Sequence, residues 1–299
     1  MYLYHFGLKE LPFSLTPNTS YYLDLPSHHE ALDVLMTALK LGEGFIKVTG
    51  EVGVGKTLLC RKLLKELPDA FCTAYIPDPY LSPQEMRWSL AHELGMEVPV
   101  EMNPIQLAQQ LQEHLLELCM ADKRVVLVID EAQALPDETL EALRLITNLE
   151  TESRKLVQVV LLGQPELNER LKERHLRQLR QRISFSYDLR PLEYNEVIDY
   201  VHHRLAVAGY VGAPILDDSG LDLLASGVSG IPRIINIVCH KALLLAYGEG
   251  RRSVSKDHIR EALQDTDGSE YNKDWQKITF GTVLTGAVGS LAFWYWLGR

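Results

Sequence analysis

The sequence predicts an α/β fold on a parallel sheet, followed by a helical lid domain and a C-terminal transmembrane helix. Three observations predict it. Apolar strand-like runs alternate with helical periodicity as far as about residue 190. Beyond Pro191 only helical periodicity remains. Finally, residues 278–297 form an uncharged stretch of 20 residues, about 30 Å as a helix, which matches a bilayer core. The expected layout is an N-terminal segment and helix over 1–44, a core over 45–190, a helical lid over 191–266, a linker over 267–277 and the span over 278–297.

Residues 1–27 are rich in Pro, Tyr and Ser, and Pro12, Pro17 and Pro26 interrupt any regular element. Ser27 is placed to cap a helix from His28 to Leu41. His28 and His29 are adjacent and do not share a helix face, so they are not read as metal ligands. The strand-like run Phe45-Ile46-Lys47-Val48 then leads into Gly50-Glu51-Val52-Gly53-Val54-Gly55-Lys56-Thr57 and a helical pattern from Lys56 to Leu67. This is GxxxxGK[ST] in its required setting between strand and helix, a P-loop. Its glycines let successive N–H groups turn toward a polyphosphate, and the helix adds its positive N-terminal end. Lys56 would reach the β- and γ-phosphates of ATP, Thr57 would ligate Mg²⁺, and Leu58 completes the nucleotide-binding stretch.

Pro68 ends that helix, and Phe71 to Ile76 reads as a second strand. Ser82-Pro83-Gln84-Glu85 combines an N-cap, a proline at the first helical position and a reciprocal Glu. Asn103-Pro104 repeats the cap-plus-proline signal for a helix to about Cys119. Val125 to Ile129 is apolar throughout, as a strand covered on both faces must be. Asp130 and Glu131 follow at its C-terminal end, where open α/β sheets place ligand chemistry. That is the Walker B pattern: Asp130 would support Mg²⁺ and Glu131 would orient or deprotonate the attacking water. A helix from Pro136 to about Leu149 precedes a buried strand from Leu156 to Leu162, and Gln164 after it is a candidate for positioning that water.

From Asn168 to Arg182 the chain is locally basic: Arg170, Lys172, Arg174, Arg177, Arg180 and Arg182 stand against Glu169 and Glu173. Three readings stay open here: a solvated helix face, a phosphate-contacting patch, or arginine fingers for a neighbouring subunit's γ-phosphate. Arg180 and Arg182, just ahead of the strand Ile183 to Tyr187, are the finger candidates. Helices are then expected over 194–208, 220–226, 231–247 and 255–264, with Arg233 near the start of the third. In the uncharged terminal stretch, Trp275 and Trp294-Tyr295-Trp296 sit as an aromatic belt would, and Lys273 and Lys277 against Arg299 orient the N-terminus to the cytosol.

The formal charge of −10 over 299 residues argues against a general attraction to nucleic acid. Cys60, Cys72, Cys119 and Cys239 are widely spaced without a CxxC pair, so neither a disulfide framework nor a zinc site is expected.

Taken in order, Phe6-Gly7, Pro12-Phe13, Thr16-Pro17, the Gly50–Thr57 loop, Val128-Ile129-Asp130-Glu131-Ala132-Gln133, Leu161 to Leu167, Gln181-Arg182-Ile183 and Gly230 to Asn236 resemble the AAA+ ATPases related to general secretion pathway component A. Within that family the sequence is most similar to the ATPases of mannose-sensitive haemagglutinin (MSHA) pilus biogenesis, a type IV pilus system. The resemblance implies a P-loop AAA+ core with a lid and a ring-like homo-oligomer. It also implies that Gln164 is sensor 1, Arg180 or Arg182 the finger acting in trans, and Arg233 sensor 2. The expected setting is the bacterial inner membrane, with pilus or secretion components as partners. Larger secretion relatives carry a peptidoglycan-binding region after their span, whereas Gly298 and Arg299 alone follow here, which counts against direct peptidoglycan binding. Two other functions compete with this motor: a nucleotide-gated assembly scaffold with little turnover, and a DNA-associated regulator of the transposition-helper kind. The acidic balance and the anchor count against the last.

Overall fold

The computed structural model describes residues 2–99, 102–151 and 154–269. They divide into two compact units, Pro17–Arg190 and a unit that joins the residues up to Thr16 to those from Pro191 onward.

The first unit is built on five strands: β1 (Phe45–Gly50), β2 (Phe71–Ile76), β3 (Arg124–Ile129), β4 (Val157–Gly163) and β5 (Ile183–Leu189). Every pairing is parallel, and the order is β2-β3-β4-β1-β5. The chain therefore leaves β1 for the far edge at β2, works back through β3 and β4, and finishes on the other side of β1. That order sets β1, β4 and β3 side by side, so the loops after them share one edge of the sheet.

The continuous apolar run of β3 has a packing cause. Val125, Leu127 and Ile129 join one core with Leu90, Leu111, Leu115 and Leu143, from the helices Pro83–Glu93, Pro104–Met120 and Asp137–Ile146. Val126 and Val128 point the other way and join Leu35, Leu39, Leu59 and Leu63, from the helices Pro26–Leu41 and Lys56–Glu66. Both faces of the strand are covered, so no position is left for a polar side chain.

Local signals set several helix starts. The Ser82 hydroxyl accepts from Glu85 N at 3.3 Å while the Glu85 carboxylate accepts from Ser82 N at 2.8 Å. Asn103 Oδ1 accepts from Ile105 N at 2.8 Å. Ser27 differs from the sequence reading. The helix begins one residue earlier at Pro26, behind Leu25 as N-cap, because proline suits the first helical position. The Ser27 hydroxyl instead accepts from Arg190 N at 3.2 Å and lies 3.3 Å from the Tyr187 hydroxyl. The helix expected from Pro136 to Leu149 is shorter, Asp137–Ile146, and β5 runs two residues past Tyr187 to Leu189.

The second unit contains the helices Tyr194–Val207, Asp218–Gly227, Pro232–Gly248 and Lys256–Gln264, with the short N-terminal helix Tyr2–Phe6. Arg204 explains why the first residues belong here. It is buried, donates from Nε to Pro12 O and from Nη2 to Ser14 O at 2.9 Å, and places its guanidinium over the Tyr200 ring. A charge-assisted bond to backbone carbonyls is stronger than a neutral one, and neither carbonyl belongs to a regular element. Gly230 fixes the entry to the helix Pro232–Gly248. Its φ is +66°, its carbonyl accepts from Leu192 N at 2.7 Å, and a Cβ here would stand 2.0 Å from Leu192 O. Gly230→Ala is expected to lower stability by at least the ~1–2 kcal/mol of left-handed strain, with the clash added, measured as a drop in denaturation midpoint.

The sequence-based fold class requires a correction. The transmembrane helix expected over 278–297 lies outside the described residues, and among those described no helix is long and apolar enough to cross a membrane. The fold is an α/β P-loop core on a parallel sheet with a helical unit, and the single C-terminal span and inner-membrane placement are withdrawn. Cys60, Cys72, Cys119 and Cys239 are free thiols.

Candidate functional site

The loop Gly50–Thr57 joins β1 to the helix Lys56–Glu66. Its sharp path needs glycine at two points, Gly53 at φ +84° and Gly55 at φ +110°, both in a region that side chains avoid. A Cβ on Gly55 would also meet His28 Nε2 at 2.9 Å. Inside the loop Lys56 is buried, and its ammonium donates to Gly50 O at 2.7 Å and Glu51 O at 3.0 Å. Those two bonds engage two of its three donors. Burial pushes the Lys56 ammonium below the usual lysine range, while the charges of Glu131, Asp130, Glu51 and Glu166 push it back up.

Thr57 follows on the same turn, and its hydroxyl donates to Asp130 Oδ2 at 2.7 Å. Asp130 is buried at the end of β3, where the Glu131 amide also donates to Oδ1 at 2.9 Å. Burial raises the Asp130 carboxyl above the usual range, against those two hydrogen bonds. A buried carboxylate with a raised pKa is one that a nearby cation would return to its charged form. A hydroxyl and a carboxylate oxygen in contact beside the Gly50–Thr57 loop suit a hard divalent cation such as Mg²⁺.

Glu131 has φ +50° and sits at the head of the short turn Ala132–Ala134. Its Oε2 accepts from Gln133 Nε2 at 2.6 Å and from Gln164 Nε2 at 3.0 Å. Burial pushes this carboxyl up, but the two amide donors and the charge of Lys56 outweigh it and hold Glu131 below the usual carboxylate range. Gln164 is carried at the end of β4, next to β1 and β3. The sheet thus gathers Lys56, Thr57, Asp130, Glu131 and Gln164 at one edge.

Arg180 and Arg182 lie away from this edge of the sheet. Arg182 is half-buried just before β5, with Nη1 3.4 Å from Arg144 O, and Arg180 is exposed. β5 is parallel to β1, with Ile183 beside Phe45 and Leu189 beside Gly50. Both arginines therefore stand about 17 Å of strand from the P-loop of their own chain, at 3.3–3.4 Å per residue. Arg233 is exposed at the second residue of the helix Pro232–Gly248, in the other unit. Arg170, one of the basic run, is engaged within its own chain. Its Nη1 donates to Gln133 O at 2.6 Å and its Nη2 pairs with Asp137.

Two residues of the site had no role in the sequence reading. His28 is buried with Nε2 3.1 Å from Val54 O, so it backs the phosphate loop from 26 positions away. Gln133 bonds both Glu131 and the backbone of Gln164. Only its place directly behind the acidic pair could have flagged it.

Residues 39–171 match the AAA domain family. The general secretion pathway protein A of Aeromonas hydrophila is 40% identical over 296 residues, covering 99% of this chain and 54% of that protein. The chain thus spans about half the length of that relative. Among solved structures, the Aeropyrum pernix ORC2 protein (ADPNP-ADP complexes) aligns with a TM-score of 0.66 over 87% of this chain and 73% of that chain, at 17% identity. Cdc6p from Pyrobaculum aerophilum aligns with a TM-score of 0.66 over 84% of this chain and 69% of that one, at 20% identity. Likeness at such low identity speaks for the fold alone. On this sheet and this loop, residues 39–171 match an AAA domain, in a chain similar over nearly its whole length to general secretion pathway protein A.

Proposed function

We propose that the chain binds ATP with Mg²⁺ and hydrolyses it, and that it uses this cycle in assembling a type IV pilus or secretion machine. The observation that carries the catalytic part is the contact of the Thr57 hydroxyl with Asp130 Oδ2 at 2.7 Å beside the buried Lys56 ammonium. Two elements distant in sequence meet there in the arrangement that a metal-bound polyphosphate needs.

In this reading Gly50, Glu51, Val52, Gly53, Val54, Gly55 and Leu58 line the nucleotide, and Lys56 exchanges its carbonyl partners for phosphate oxygens. Thr57 and Asp130 would hold the metal. A bound Mg²⁺ ion would neutralise charge on the β- and γ-phosphates. Glu131 takes a proton from the attacking water, and Gln164 fixes where that water stands. The carboxylate is already ionised and held by two amides, so it needs no rearrangement before accepting the proton. The distance of Arg180 and Arg182 from their own loop favours a homo-oligomer in which one of them completes a neighbour's site, and the motif resemblance supports Arg233 as sensor 2. Similarity to general secretion pathway protein A supports the secretion setting, and the motif resemblance supports the pilus.

Lys56→Ala tests the reading. Loss of a charge-assisted phosphate contact costs about 1.5–3 kcal/mol, so ATP affinity should fall roughly ten- to a hundredfold, read by titration with labelled ATP. Unchanged affinity would remove the cradle from the account.

A further inference from the structure

We propose that Gln133 is a positioning residue: its side-chain amide orients the Glu131 carboxylate and ties that orientation to the loop after β4. The inference rests on Glu131 serving as the base of the hydrolysis proposed above.

The orientation of the amide follows from its partners. Gln164 N can only donate, so the oxygen of the Gln133 amide must face it, as the 2.9 Å contact to Oε1 shows. Nε2 is then left facing Glu131 Oε2, at 2.6 Å. The amide of Gln164 donates to the same oxygen at 3.0 Å. Among the described residues both donors converge on Oε2, which leaves Oε1 as the oxygen free to meet a water. The turn that carries Gln133 is itself held from two sides. Ala134 N donates to Glu131 O at 2.8 Å, and Arg170 donates to Gln133 O at 2.6 Å while pairing with Asp137. A carboxylate on a left-handed residue, fixed through one oxygen by two amides on a braced turn, has little freedom to swing. Gln133 makes no contact with the Gly50–Thr57 loop in this network, so its influence should fall on the chemical step and not on nucleotide binding.

The rival role is a purely structural bridge between the turn and β4. Two variants of the full chain separate them. Gln133→Glu keeps size and the acceptor for Gln164 N but sets a like charge against Glu131; Gln133→Leu removes both bonds. Both should lower kcat on the order of 10–100-fold, the loss that a slightly misplaced catalytic group produces. The Kd for ATP should stay within about twofold in both variants. The inference is overturned if both variants keep kcat within about twofold, or if kcat, ATP affinity and melting temperature fall together in both. A chain whose Glu131→Gln form releases phosphate as fast as the unmodified one would instead overturn the reading of Glu131 itself, and this inference with it.

Discussion

A Glu131→Gln chain should bind ATP about as tightly as the unmodified protein and release phosphate at least about a hundredfold more slowly, within the range that loss of a positioned general base produces. The substitution preserves shape. An amide oxygen can still accept from Gln133 and Gln164, which now donate to Oε2 at 2.6 and 3.0 Å. What disappears is the basicity of a carboxylate held ionised by those donors and by Lys56. Removing a negative charge beside the phosphates should leave affinity intact or raise it. Labelled-ATP binding and phosphate release on one preparation measure both quantities. Release at the unmodified rate would show that Glu131 has no chemical part in hydrolysis.

Removing both Arg180 and Arg182 should lower phosphate release about a thousandfold or more, as loss of an arginine finger does. The geometry gives this prediction a second half. Because β5 runs parallel to β1, these side chains lie at the opposite end of the sheet from the loop after Gly50. They serve a neighbour's site or none. A mixture of Lys56→Ala chains, which keep the arginines, with Arg180→Ala/Arg182→Ala chains, which keep an intact loop, should therefore recover activity that neither shows alone. Substituting each arginine singly then assigns the finger. If the double variant hydrolyses ATP normally, the pair belongs to the solvated face of the basic run.

The parts of the molecule legible in the sequence were those whose causes are local. The Ser82–Glu85 box, the loop glycines and the apolar run of β3 all follow from residues within a few positions of one another. Ser27 shows where local reasoning goes wrong, since a neighbouring proline started the helix first and freed the hydroxyl for Arg190. Contacts made by strand order were out of reach. Nothing near Gln133 announces the backbone of Gln164, 31 residues on, and nothing near Arg170 announces its pairing with Asp137. The same holds for Arg204, whose partners at Pro12 and Ser14 lie about 190 positions earlier. The sheet order decided which side chains restrain Glu131.

The central claim is that Lys56, Thr57, Asp130 and Glu131 form one site for magnesium-bound ATP. Its most direct test is phosphate release by the purified full chain across a range of protein concentrations, with Mg²⁺ and then with EDTA. The account predicts saturable release that requires Mg²⁺, rises more steeply than protein concentration as chains assemble, and vanishes in Asp130→Ala. Release that ignores magnesium and survives Asp130→Ala, or a chain that neither binds ATP nor releases phosphate at any concentration, would contradict it.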